Sequence, residues 1–167
     1  QLNLQTIEAS MDNLSAIKND SFEIVIHPVS TCYVQNITPV YQEVARVLCP
    51  DGIYISQHKQ PTSLQASLNA EQGEYRIEHP YYDPPPLPPS PPPQLIREDG
   101  TPEYVHRWEQ LLGAMCRAGL FIEDITEPMH AKPDSESDSF AHRCQFIAPY
   151  IRIKARRTGK PKTNLFV

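Results

Sequence analysis

Two short runs carry the side chains best suited to chemistry, His27-Pro28-Val29-Ser30 and Ser56-Gln57-His58-Lys59. An imidazole of near-neutral pKa can take a proton from a hydroxyl or an amine under ordinary cellular conditions. His27 and His58 could therefore each act as a base or an orienting group, or simply tie down the loop that follows. Ser30 and Tyr33, just beyond the first histidine, are candidate contacts to a bound molecule. The chain has six histidines, none in H-x-x-x-H or H-E-x-x-H spacing. Cys32, Cys49, Cys116 and Cys144 show no C-x-x-C spacing either, so no metal site is expected. Cys32 or Cys116 as a nucleophile is the weaker reading, because a buried cysteine commonly serves as a small apolar filler.

The two runs need elements that hold them side by side. Phe22, Ile24, Val25 and Ile26 make a short apolar run, as in a strand buried on both faces of a parallel sheet, and His27-Pro28 ends it. From Thr38 to Leu48 the residues Val40, Val44, Val47 and Leu48 recur at helical spacing, with Thr38 as N-cap and Pro39 at the first helical position. Pro50-Asp51-Gly52 stops that helix, and Ile53, Tyr54 and Ile55 begin a second strand. A strand, a crossover helix and a strand give a parallel pair. Neighbouring strands lie about 4.8 Å apart, so His27 and His58 are expected to line one cleft at the carboxyl ends.

Phe22-Glu23-Ile24-Val25 and Glu43-Val44-Ala45-Arg46-Val47-Leu48-Cys49-Pro50-Asp51-Gly52 resemble the F-D-x-V strand and the E-x-x-R-V-L-x-P-G-G helix end of class I S-adenosylmethionine-dependent methyltransferases. Glu23 replaces the usual Asp. Asp51 replaces a Gly, and an Asp can occupy a left-handed turn at some cost. The resemblance implies an α/β fold, an incomplete doubly wound Rossmann-like sheet, mostly parallel with an antiparallel C-terminal strand. The implied cofactor is S-adenosylmethionine. Ser10, Met11 and Asp12 match its adenine side, with Ser10 where an acid is usual, and His27 with Pro28 match the loop beside its methionine part. The implied substrate is a small-molecule methyl acceptor, contacted by Ser30, Tyr33, His58, Tyr81 and Tyr82, with His27 or His58 as the acceptor-side base. The family's glycine-rich turn has no counterpart among the six glycines, since Gly52, Gly73, Gly100, Gly113, Gly119 and Gly159 form no G-x-G. This implies the C-terminal portion of such an enzyme, one that binds the cofactor poorly alone.

The rest of the chain extends the resemblance. Thr6 to Ala9 resembles the third strand. Tyr104 to Gly119 places Trp108, Leu111, Leu112, Met115 and Cys116 on one helical stripe that ends at a glycine cap. Leu120 to Ile125 reads as a strand, and Arg143 to Ala155 as its antiparallel partner, with Phe146 among its apolar residues and Pro149 as a bulge or edge. The family's strand order is 3-2-1-4-5-7-6. Without its first two strands, Phe22 to Ile26 becomes an open template, so self-association or a complementing N-terminal half is expected.

One domain over 1–167 accounts for the length, with a proline-rich insertion at about 79–102 that holds half of the 18 prolines between Pro80 and Pro93. That stretch reads as extended polyproline II. It also supports an alternative, a noncatalytic interaction module that presents P-x-x-P to a partner domain. A net charge of -5 argues against broad nucleic-acid binding, although the tail IRIKARRTGKPK is basic. No apolar run approaches the roughly 20 residues that span a bilayer. Unpaired cysteines without a secretory signal suggest a reduced, cytoplasmic protein.

Overall fold

The computed structural model of the chain describes residues 4–69, 73–82, 85–88, 97 and 100–158. Strand β1 (Phe22–His27) runs parallel to β2 (Leu48–Lys59), in a register from Ile24 beside Ile53 to His27 beside Ser56. Between them lie a 3-10 turn (Thr31–Tyr33) and helix α1 (Thr38–Val47). Val40, Tyr41, Val44, Ala45 and Val47 form the buried face of α1. Thr38 does not cap it. Ile37 is the N-cap residue, and the Asn36 side-chain oxygen accepts the Thr38 N–H at 3.0 Å, which does the capping job from one residue further out. At the other end Asp51 sits at φ +63°, the left-handed turn anticipated for it.

Beyond β2 come helix α2 (Pro61–Gln65) and a hairpin of β3 (Ala66–Asn69) and β4 (Glu74–Ile77), neither of which was anticipated. A π-helical turn (Glu109–Gly113) leads into α3 (Ala114–Arg117). The single stripe expected over Tyr104 to Gly119 is corrected accordingly. A π turn inserts a residue and slips the helical phase, so Leu111, Ala114 and Met115 are buried while Cys116 is exposed. Tyr104 precedes the helix and donates its N–H to the Cys32 carbonyl.

Strand β5 (Leu120–Thr126) and strand β6 (Tyr150–Arg157) are antiparallel, with helix α4 (Phe140–Arg143) between them. The last strand thus starts later than expected. Arg143 instead ends a helix capped by Ser139, and Phe146 is 67% exposed. Thr6 to Ala9 is not a strand, because nothing among the described residues pairs with it. The sheet order β1-β2-β6-β5, with β6 antiparallel to both neighbours, corresponds to the 4-5-7-6 portion of the family order.

One face of this sheet is packed. Tyr54, Ile151, Ile153 and Ala155 meet Tyr41 and Val44 of α1, Leu111 of the π turn, and Met115 of α3. The opposite face is bare among the described residues: Ile24, Ile26, Ile55 and Phe121 are 54%, 72%, 41% and 53% exposed. β1 is therefore not buried on both faces as its composition suggests. It has one neighbour in the sheet, and among the described residues no helix covers its outer face. A smaller cluster of Cys32, Leu64, Leu87 and Val105 pins Leu87 of the proline-rich stretch to the body. Most of the polyproline II and P-x-x-P expectation, and the basic tail beyond residue 158, lie outside the described residues.

Candidate active site

Period-two alternation on β2 sends Tyr54, Ser56 and His58 to the packed face, where β1 delivers His27 beside Ser56. The 3-10 turn brings Thr31 over the same spot. His27 Nδ1 lies 2.8 Å from the Tyr54 hydroxyl, and its Nε2 lies 2.7 Å from Ser30 Oγ. His58 Nδ1 lies 2.8 Å from Thr31 Oγ1, and its Nε2 lies 2.8 Å from Ser56 Oγ. The two imidazole rings are 6.5 Å apart. His106 Nε2 donates to the Thr31 carbonyl at 2.9 Å. The result is one connected polar network at the carboxyl ends of two parallel strands, the general ligand location in open α/β sheets.

Burial sets its electrostatics. His58 is fully buried, and its pKa is pushed down to about 3 by desolvation, with His27 and His106 adding to the effect. Burial also lowers His27 and His106. Tyr54 and Tyr41 are raised by burial, so both phenols keep their protons. The network is neutral near pH 7. His27 is partly accessible and its Nε2 faces the loop, so it can exchange a partner. Both nitrogens of His58 are engaged inside the protein, so it holds Thr31 and Ser56 in place. The Tyr41 ring lies edge-on to the His58 ring with centroids 6.2 Å apart, and its hydroxyl has no hydrogen-bond partner among the described residues.

Other anticipated residues fall elsewhere. Tyr33 lies under the Lys59 ammonium, 5.8 Å from its ring centre. Tyr81 accepts the Trp108 N–H at 3.1 Å and packs edge-on against Tyr82, whose ring carries Arg107. Ser10 forms a turn with Asn13, and its hydroxyl bonds Asp12. The Leu14 carbonyl and N–H of the same loop bind Arg46 and Glu43 of α1. Sequence reasoning gave Tyr54 no role and placed Ser56 only within a strand-end run, although their alternation with His58 was available. It also missed His106 and a buried ion pair, Lys59 to Glu103 at 2.8 Å, for which the sequence carries no local signal. Among the described residues no group of three His, Cys, Asp or Glu could hold a metal, and no helix is long and apolar enough to cross a membrane.

Residues 1–56 match the family model of a methyltransferase domain. The uncharacterized methyltransferase YbaJ of Bacillus subtilis is 33% identical over 129 residues, which cover 75% of this chain and 51% of YbaJ. The chain thus spans about half the length of that relative. Two solved S-adenosylmethionine-dependent methyltransferases superpose on 89% of it. The one from Mesorhizobium loti does so at TM-score 0.64, 18% identity and 67% of its own length, and the one from Listeria monocytogenes at 0.65, 16% and 67%. The sheet order and these superpositions define the class I methyltransferase fold. The matched domain model over residues 1–56 and the similarity to YbaJ point the same way, to a chain that carries part of a methyltransferase domain on that fold.

Proposed function

We propose that this chain supplies the acceptor side of a methyltransferase that acts on a small molecule. The observation that carries the reading is the neutral, partly accessible His27, braced by Tyr54 and Ser30 at the end of β1. Bound S-adenosylmethionine would supply an electrophilic methyl group on a sulfonium. The Ser10–Asn13 turn, with the exposed Asp12 carboxylate, and the His27-Pro28 loop suit the adenine and methionine flanks of that cofactor. No glycine turn among the described residues supplies a cradle for its carboxylate. His27 Nε2 would exchange Ser30 Oγ for an acceptor hydroxyl or amine and take its proton. Tyr54 would hold the ring orientation through Nδ1. His58 is a positioning residue, since a buried imidazole with both nitrogens engaged neither gains nor delivers a proton at neutral pH. The bare face and open edge of β1 support a partner that completes the sheet, either a complementing half or a second copy. A cytoplasmic setting remains part of the proposal.

The test joins this chain to the part of YbaJ that it does not cover. The chimera is expected to bind S-adenosylmethionine in calorimetry and to transfer labelled methyl to small hydroxyl or amine acceptors, while this chain alone shows no micromolar binding. His27→Gln should cut kcat by about a hundredfold or more with cofactor affinity unchanged. Full activity in that variant would remove His27 from the role of base. Micromolar binding by this chain alone would overturn the divided cofactor site.

A further inference from the structure

A cavity of about 670 Å³ lies between the β3–β4 hairpin and the segment that contains α4. Both walls are excursions from the edge of the sheet where β2 and β5 end and β6 begins. The cavity is distinct from the imidazole network. Helix α2 stands between them, with Leu64 packed on Cys32 and Val105 while Thr62 lines the cavity. Its volume lies in the range of small-molecule sites, about 300–1,000 Å³.

Three rings form one wall. Tyr75, His142 and Phe146 have centroids 5.3 to 5.9 Å apart, and the Tyr75 hydroxyl is hydrogen-bonded to His142 Nδ1 at 2.8 Å. Ile77 and Ile147 extend the apolar surface. Such a wall takes an apolar or aromatic body and offers ring faces to a cation. Two carboxylates line the cavity, and they differ. Glu74 is paired with Arg76 at 2.8 Å. Asp138, held at φ +67°, makes no hydrogen bond or ion pair among the described residues, yet it lies close enough to Tyr75 to add to the burial that raises that phenol's pKa. The buried cation Arg143 acts on Tyr75 in the opposite sense, but its guanidinium is committed to Ser63 Oγ and to the Ser63 and Ala66 carbonyls. The cavity therefore presents ring faces, aliphatic surface and one uncommitted negative charge.

We infer that this cavity binds a small aromatic amine in its ammonium form, its body against Tyr75 and Phe146 and its charge against Asp138. The inference goes beyond the methyl-transfer reading and stands independently of it. The test titrates this chain with phenethylamine, 2-phenylethanol and 3-phenylpropionate, which share a ring and differ in charge, with amide chemical shifts as the readout. The amine is expected to bind about tenfold or more tighter than the alcohol, the carboxylate weakest, with shifts centred on Tyr75 and His142. Asp138→Asn keeps a residue that tolerates positive φ and should erase the preference for the amine. Phe146→Ala, at an exposed position, should weaken all three probes. Equal affinities, tightest binding of the carboxylate, no binding of any probe, or an undiminished preference in Asp138→Asn would each overturn the inference.

Discussion

Glu103→Gln tests whether the polar interior is held by charge or by shape. Lys59 ends β2 and Glu103 bridges Leu87, so their contact clamps the loop ahead of α3 to the sheet. The ammonium and carboxylate are 2.8 Å apart, with side chains 4% and 0% exposed. At an effective dielectric of about 20, charges at that separation attract by about 6 kcal/mol, which is offset by several kcal/mol of desolvation for each ion. The pair is therefore worth little net, but removing one partner is costly. A neutral amide would leave the buried ammonium uncompensated and should cost about 3–5 kcal/mol in urea unfolding. Glu123 gives the contrast. It pairs with Lys154 and Arg156 at the surface, where solvent screens the charges, and Glu123→Gln should barely move the unfolding midpoint. The double variant Lys59→Met with Glu103→Leu, which removes both charges, should recover most of the loss. A cost below about 1 kcal/mol for Glu103→Gln, or a double variant as unstable as the single, would refute the reasoning.

Other outcomes follow from the same geometry. His58 binds its proton only near pH 3 when folded, against about 6.5 unfolded, so the unfolded chain takes up more protons between those values. Stability should fall on acidification through that window, by on the order of 1 kcal/mol per pH unit, and His58→Gln should flatten the slope in urea titrations. Gly52→Ala would set a methyl 2.8 Å from the Cys49 carbonyl and 3.2 Å from that of Glu23, so a loss of about 1–3 kcal/mol is expected by thermal unfolding. Replacing Ile24 and Ile26 together by Lys should lower any self-association measured by sedimentation without lowering the melting temperature, since both side chains already face outward.

The sequence was most legible where local chemistry decides the backbone. Asp51-Gly52 dictates a turn, the apolar spacing of α1 dictates its buried face, and a strand-helix-strand order dictates the parallel pair that brings His27 to His58. It was misleading where the outcome depends on neighbours. Phe22 to Ile26 has the composition of a central strand, but no local property reports that its outer face is uncovered. The phase of the helix before Gly119 is lost to a π turn whose cause lies in packing. Glu103 and His106 reach the site from a segment more than forty residues beyond β2, as the Lys59 to Glu103 separation of 44 shows, and no local pattern announces such a meeting. The alternation of Tyr54, Ser56 and His58 was the one unread local signal.

The order β1-β2-β6-β5 puts the last strand of the fold beside β2 rather than at an outer edge. Arg156 reaches the Asp51 carbonyl across 105 residues of chain, and the whole β2–β6 ladder closes a loop of similar size. Closing it costs entropy before any of its contacts return energy. Folding should therefore be slow for a chain of this length, and until residues 150–157 arrive β2 has only β1 beside it. During synthesis that leaves two apolar strands waiting for their partner, and the interval before β6 emerges is when this chain is most open to pairing with the wrong one.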